Sequence, residues 1–342
     1  MKIRMKKTVA VLALCMAAVC VYAADAKSDA LFEATKNNDA AKVRRLVKKT
    51  DVNAKDKDGA TVLMWAAGRN AEDVVRTLIE AGADVDAKNK YGVTALMCAA
   101  TKMNVTKMLI GAGADVNARD IIGMTALIYN TANNAADVAR VLIEAGADLN
   151  AMNGDGQSAL MLAAAVNAVD AMQVLIEADA DIDLKGSFDQ TALMFAAKKN
   201  AVDAAKVLLS SGANLNAKNE LGWTALLIAA NSNAADVAKV LIEAGTNVNA
   251  QSNYGQSALM LAADNNAADV MKVLIAAGAD LNFKGNFGWT ALMCAAMNDS
   301  IDAAKVLIEA GANVNTKANG FTALMYAASA NMEVLLKAAG AR

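Results

Sequence analysis

Two neighbouring sulfur residues, Met97 and Cys98, return as Met293 and Cys294 inside the same seven letters, TALMCAA, at residues 94–100 and 290–296. Thioethers and thiolates are soft donors that hold Cu(I), and oxidants consume both. The methionine belongs to a longer series. Met64, Met97, Met161, Met194, Met260, Met293 and Met325 each stand three residues after a Thr or Ser, with Ile128 and Leu227 in the two remaining copies. A second pattern is acidic: Asp56 and Asp58 before Gly59, and Asn153 and Asp155 before Gly156, resemble fragments of a calcium loop. The chain has no histidine, so it offers no imidazole base, no Ser-His or Cys-His pair and no histidine metal ligand. No glycine-rich phosphate loop is present.

Spacing argues against each of these chemistries. Stacked helices lie about 10 Å apart, and equivalent side chains point the same way, whereas ligands of one metal converge to about 2.3 Å. The methionine series therefore reads as adaptable core filler. Cys98 and Cys294 share a position with Trp65, Tyr129, Leu162, Phe195, Ile228, Leu261 and Tyr326, which marks it as a packing slot. Adjacent helical residues point about 100° apart, so Met97 and Cys98 do not face one site. The two cysteines lie six repeats apart, on the order of 60 Å along a stack, far beyond the ~7 Å a disulfide needs. The expectation is two unpaired, buried, inert thiols. In the acidic pattern Ala54 and Ala151 stand where the first calcium ligand belongs, and Trp65 and Leu162 where the closing glutamate belongs. Turn formation is the better reading.

What positions these residues is a repeat. Thr/Ser-Ala-Leu-Met begins at Thr94, Ser158, Thr191, Ser257, Thr290 and Thr322, with variants at Thr61, Thr125 and Thr224, in steps of 33, 31, 33, 33, 33, 33, 33 and 32 residues. A diverged copy at Asp29 makes ten units. In residues 56–88, DKDG predicts a turn and Thr61 a helix N-cap. VLMWAAGR forms a short apolar helix ended by a left-handed Asn70. AEDVVRTLIEA forms an amphipathic helix with Val74, Leu78 and Ala81 on one face, closed by Gly82. Neither helix is stable alone, so neighbours must stack into an all-α solenoid.

The period with T-x-L-x-x-A-A, then V-x-x-L-I-x-A-G-A-x-x-N-A, resembles the ankyrin repeat over about residues 27–342. The resemblance implies stacked helix-turn-helix units with hairpin fingers. It also implies a concave face of fingers and first helices that binds proteins, without catalysis or cofactors. The chain departs from the family's Thr-Pro-Leu-His, since Ala replaces Pro and Met replaces His. The methionine removes a side-chain hydrogen bond that holds the turn. The usual Gly-His between helices is Asn-Ala, as at Asn70-Ala71, Asn200-Ala201 and Asn233-Ala234.

The domain organisation follows. Residues 1–23 read as a signal peptide: Lys2, Arg4, Lys6 and Lys7, then an apolar run from Thr8 to Val21, then Val21-Tyr22-Ala23 as the cleavage site. Leu14 and Val19, ahead of Cys15 and Cys20, are a poor context for a lipid anchor, which stays the lesser alternative. Residues 24–60 form the N-terminal capping repeat and first finger, 61–321 the central repeats, and 322–342 a truncated last repeat with a short second helix. The expected destination is the periplasm or the exterior, with no membrane insertion after cleavage.

The formal net charge of -2 gives no ground for a nucleic-acid partner. Function is sought where copies differ. Of 14 aromatic residues, eight fall in finger segments: Tyr91, Phe188, Trp223, Tyr254, Phe283, Phe287, Trp289 and Phe321. Aromatics dominate interface hot spots, but neighbouring fingers can also stack such rings on each other. The partner-binding candidates are Tyr91, Ile122, Phe188, Trp223, Tyr254, Phe287, Trp289 and Phe321. Residues 101–104 with Asn130-Thr131, and residues 179–189, where Asp179 and Asp189 replace glycines, are further irregular places. The reading is a non-enzymatic protein-interaction module. A secreted protein acting on another cell and a methionine-rich copper or oxidant handler are the alternatives. The partner and the oligomeric state stay open.

Overall fold

The computed structural model describes residues 29–342. The expected signal segment and cleavage site, with Cys15 and Cys20, lie outside them. Among the described residues there are 19 α-helices and no strand, only isolated antiparallel bridges such as Lys55 with Thr61 that pinch fingers closed. The chain forms two compact units. The first runs to Ala159 and includes Asp170–Ala180; the second comprises Leu160–Val169 and Asp181–Arg342.

Within each unit the construction is the same. Thr or Ser stands at the N-cap of the first helices: Thr94 Oγ1 accepts from Met97 N at 3.4 Å and Ser257 Oγ from Met260 N at 3.3 Å, whereas Thr191 and Thr224 make no side-chain cap bond. First helices stack on first helices and second on second. In the second unit the first helices include Ala192–Lys199, Ala225–Asn231, Ala258–Asp264 and Ala291–Met297. The Ala-Ala pairs Ala196-Ala197, Ala229-Ala230, Ala262-Ala263 and Ala295-Ala296 are fully buried. Small side chains there let backbones approach closely. The leucines of the second helices, Leu208, Leu241, Leu274 and Leu307, are equally buried. In the first unit the helix Glu72–Glu80 buries Val74, Val75 and Leu78, but Ala81 is exposed. Ala81 has left helical geometry as the C-cap, so it does not extend the apolar face.

Asn70 takes φ 58, as expected, and the asparagines at equivalent positions share that left-handed geometry. Their side chains explain why asparagine, rather than glycine, ends the first helix. The second helix Ala235–Glu243 has Ala234 as N-cap and no side-chain cap of its own. Asn200, one repeat earlier, supplies it: Oδ1 accepts from Val237 N at 3.0 Å and Nδ2 donates to Asp236 Oδ2 at 3.1 Å. Asn167 serves the helix Val202–Ser210 in the same way, and Asn266 the helix Ile301–Glu309. Asn134 and Asn233 do likewise, so each of these five repeats caps its successor.

Two expectations about irregular repeats change. The last repeat keeps a nine-residue second helix, Ala330–Ala338, and loses its first, which shrinks to a 3-10 turn over Ala323–Tyr326. Met332 and Leu336 must reach the core, so the deletion falls upstream of them. Met325 consequently turns outward at 61% exposure, leaving the buried methionine series. In the 31-residue unit the first helix shrinks to Ala95–Cys98. Buried Asn130 fills in behind it, Nδ2 donating to the Ala100 carbonyl at 2.6 Å. Asn130 and Thr131 are therefore a repair of the core and present no binding patch.

Candidate functional site

The fingers are built on one residue, five positions before the capping Thr or Ser. Asn89 Oδ1 accepts from Tyr91 N at 2.9 Å and Val93 N at 3.0 Å, which folds the finger over. Asp56, Asp120, Asn153 and Asn219 do likewise, and Ser252 does so with its hydroxyl. Asp56 also accepts from Trp65 Nε1 at 3.0 Å, and Asp120 from the Tyr129 hydroxyl at 2.7 Å. The acidic pattern is thus occupied with turn chemistry.

Three positions before the cap lies the finger tip. In the second unit the tips are Phe188, Leu221, Tyr254 and Phe287, exposed by 60, 42, 57 and 65%. Successive fingers join through tip carbonyls: Glu220 N donates to Phe188 O at 3.2 Å and Asn253 N to Leu221 O at 3.0 Å. The tip side chains therefore follow one another in a row. In the first unit Tyr91 and Ile122 occupy the same position and are exposed, Tyr91 with the Lys90 ammonium 5.2 Å from its ring centre. Ile121 beside them is the most exposed apolar residue of that finger.

Phe188 carries backbone strain. It stands at φ 61 and Asp189 at φ 57, consecutive left-handed residues in a turn where the other fingers have glycine in the second place. Position 186 is glycine, so this finger has no side-chain anchor; Lys185 and Asp189 brace it at 2.9 Å instead. A bulky aromatic in this conformation is an outlier of the kind found at functional sites.

The finger at residues 285–289 also has glycine, Gly285, in the anchor position. Its repeat has Cys294 in the slot that holds Trp65, Tyr129 or Phe195 elsewhere. A cleft of about 340 Å³ opens there, lined by Tyr254, Phe287 and Trp289 from the fingers and by Met260, Asp264 and Cys294 from the first helices. Asp264 Oδ1 accepts from Asn298 Nδ2 at 3.1 Å. Burial raises the Asp264 carboxyl above the ordinary range, while hydrogen bonds from the Cys294 thiol and Asn298 pull it back. Burial, then the Asp264 charge, push the Cys294 thiol far up, so it stays protonated and unreactive. Cys98 is only half-buried, in contrast to the expectation, because its shortened helix leaves it less covered.

The ring-stacking reading of the aromatics holds in part. Phe287 contacts Trp289 at 6.3 Å between ring centres, Trp289 contacts Tyr326 at 6.0 Å, and Tyr326 contacts Phe321 at 6.0 Å. These rings pack on one another, yet Phe287 and Phe321 remain exposed on their outer faces. Trp223 is half-buried. Residue types alone did not single out Leu221 or Asp264. Leu221 had a signal in its place in the tip column. Asp264 had none. Met64, Met97, Met161, Met194, Met260 and Met293 are buried in the helix stack. The Met64 thioether accepts from Thr61 N at 3.4 Å, so methionine restores weakly the turn bond that its sequence position seemed to forfeit.

Comparison with known families agrees with this geometry. A family model described as ankyrin repeats (3 copies) matches residues 31–120, 102–186, 127–219, 193–285 and 259–341. None of the curated proteins matches the chain.

Proposed function

The chain belongs to the ankyrin-repeat family, whose members are generally protein-interaction modules, and from that premise we propose that it is a non-enzymatic receptor for an extended protein segment. The partner lies across the finger tips and the first helices behind them. Residues 1–23 carry the protein out of the cytoplasm, and it works in the periplasm or outside the cell.

The observation that carries this reading is the row Phe188, Leu221, Tyr254 and Phe287, apolar at 42–65% exposure on four successive fingers. Folding does not require it. Finger closure uses backbone groups and the anchor residue, and the first unit has an aspartate, Asp155, at the same position. Exposed apolar side chains in register on a rigid scaffold are what a partner buries as hot spots.

The test replaces Phe188, Leu221 and Tyr254 together by alanine and compares cross-linked partners in the native compartment with those of wild type. Capture is expected to fall at least about tenfold while circular dichroism stays unchanged. Undiminished capture by the folded variant would overturn the proposal.

A further inference from the structure

The cleft beside the tip row has a chemistry of its own. It places three aromatic side chains, Tyr254, Phe287 and Trp289, around one carboxylate, Asp264. Asp264 is the one carboxylate among its lining residues, and no cationic residue lines it. Aromatic faces attract cations electrostatically, and a half-buried carboxylate lacks the solvation that would satisfy it. A carboxylate offers about four acceptor positions. Asn298 and the Cys294 thiol take two, and the rest are available to a guest. The volume of about 340 Å³ is at the small end of ligand sites and suits one long side chain.

Resting on the interaction reading above, we propose that this cleft receives an arginine side chain of the bound protein segment, with its guanidinium on Asp264 and its stem against Tyr254, Phe287 and Trp289. Arginine fits better than lysine for two reasons. A planar guanidinium stacks on ring faces, and it pairs with a carboxylate through two parallel hydrogen bonds. Its weaker hydration also lowers the cost of entering a half-dry site. The segment's remaining apolar side chains continue along Leu221 and Phe188. The partner is thus marked by an arginine next to apolar residues in an extended stretch.

The probe is a short capped peptide with one central arginine flanked by leucines, titrated into the purified chain and followed by the Trp289 indole N–H resonance. Parallel peptides carry norleucine, lysine or glutamate at the centre. The arginine peptide is expected to bind about ten- to a hundredfold more tightly than the norleucine peptide. Asp264→Asn is expected to abolish that difference and leave norleucine binding unchanged, a pattern that general damage to the fold would not give. Equal binding of arginine and norleucine peptides, or an arginine preference that survives Asp264→Asn, would overturn the cleft's role. Equal binding of lysine would overturn the assignment to arginine. If the peptides show no preference but the Phe188, Leu221 and Tyr254 alanine variant still loses its native partner, this inference falls and the interaction function stands.

Discussion

The asparagines that end the first helices should behave as shared caps, and Asn200 separates the two parts of that role. It sits at φ 54, bonds Val237 N at 3.0 Å and Asp236 at 3.1 Å, and serves a helix whose own N-cap is Ala234. Asn200→Gly keeps the left-handed backbone and removes the borrowed cap. One partly solvated hydrogen bond to a helix N-terminus contributes about 1 kcal/mol, and the exposed amide–carboxylate contact adds little. Asn200→Ala removes the same bonds and also forces a Cβ-bearing residue into left-handed geometry, a further cost of about 1–2 kcal/mol. The expected losses are thus about 1 kcal/mol for glycine and about 2–3 kcal/mol for alanine. Urea unfolding followed by circular dichroism measures both, compared at equal slope. A glycine variant as stable as wild type would show that the cap between repeats contributes nothing. Equal losses for glycine and alanine would show that the backbone geometry is not what selects asparagine.

Three further outcomes follow from the same structure. Gly285→Ala should destabilise by about 1–3 kcal/mol, because a Cβ there would meet the Gly255 carbonyl at 2.7 Å and Met260 Cε at 3.1 Å; an unchanged melting temperature would contradict this. Asp264→Asn should raise stability at pH 7, because burial raises the native carboxyl above its unfolded value and disfavours the charged form. That native pKa makes the Asp264 contribution most favourable below the unfolded value and lost as pH rises through the native one, so the advantage of asparagine should shrink on acidification toward pH ~4. An advantage independent of pH would refute the assignment. Under limiting peroxide, Met325 at 61% exposure should be oxidised before buried Met64, Met97, Met161, Met194, Met260 and Met293, as read by peptide mass spectrometry; simultaneous oxidation would mean that the stack opens readily.

Repeat length, capping Thr or Ser, turn glycines and left-handed asparagines were all legible in the sequence because each is a local signal with a local cause. The borrowed caps were not, since Asn200 and Val237 are 37 residues apart and only stacking joins them. The last repeat was misread for a related reason. Its missing residues lie between two helices, and which helix yields is decided by the burial of Met332 and Leu336, a tertiary demand. The site was half legible. Aromatic fingers stand out by composition, so Tyr254, Phe287 and Trp289 were already candidates. Asp264 was not, because one acidic residue at a helix end says nothing until the cleft beside it is seen.

The central claim is that partners are held on the finger side rather than on the second helices. A photo-crosslinking amino acid placed at Phe188, Leu221 or Tyr254 tests it against the same group placed at Lys239 or Lys272, which line a shallow groove on the second helices. All five positions are exposed. In the native compartment, the account expects one shared partner band from the three finger positions and none from the two helix positions. A partner band from Lys239 or Lys272 alone would contradict it.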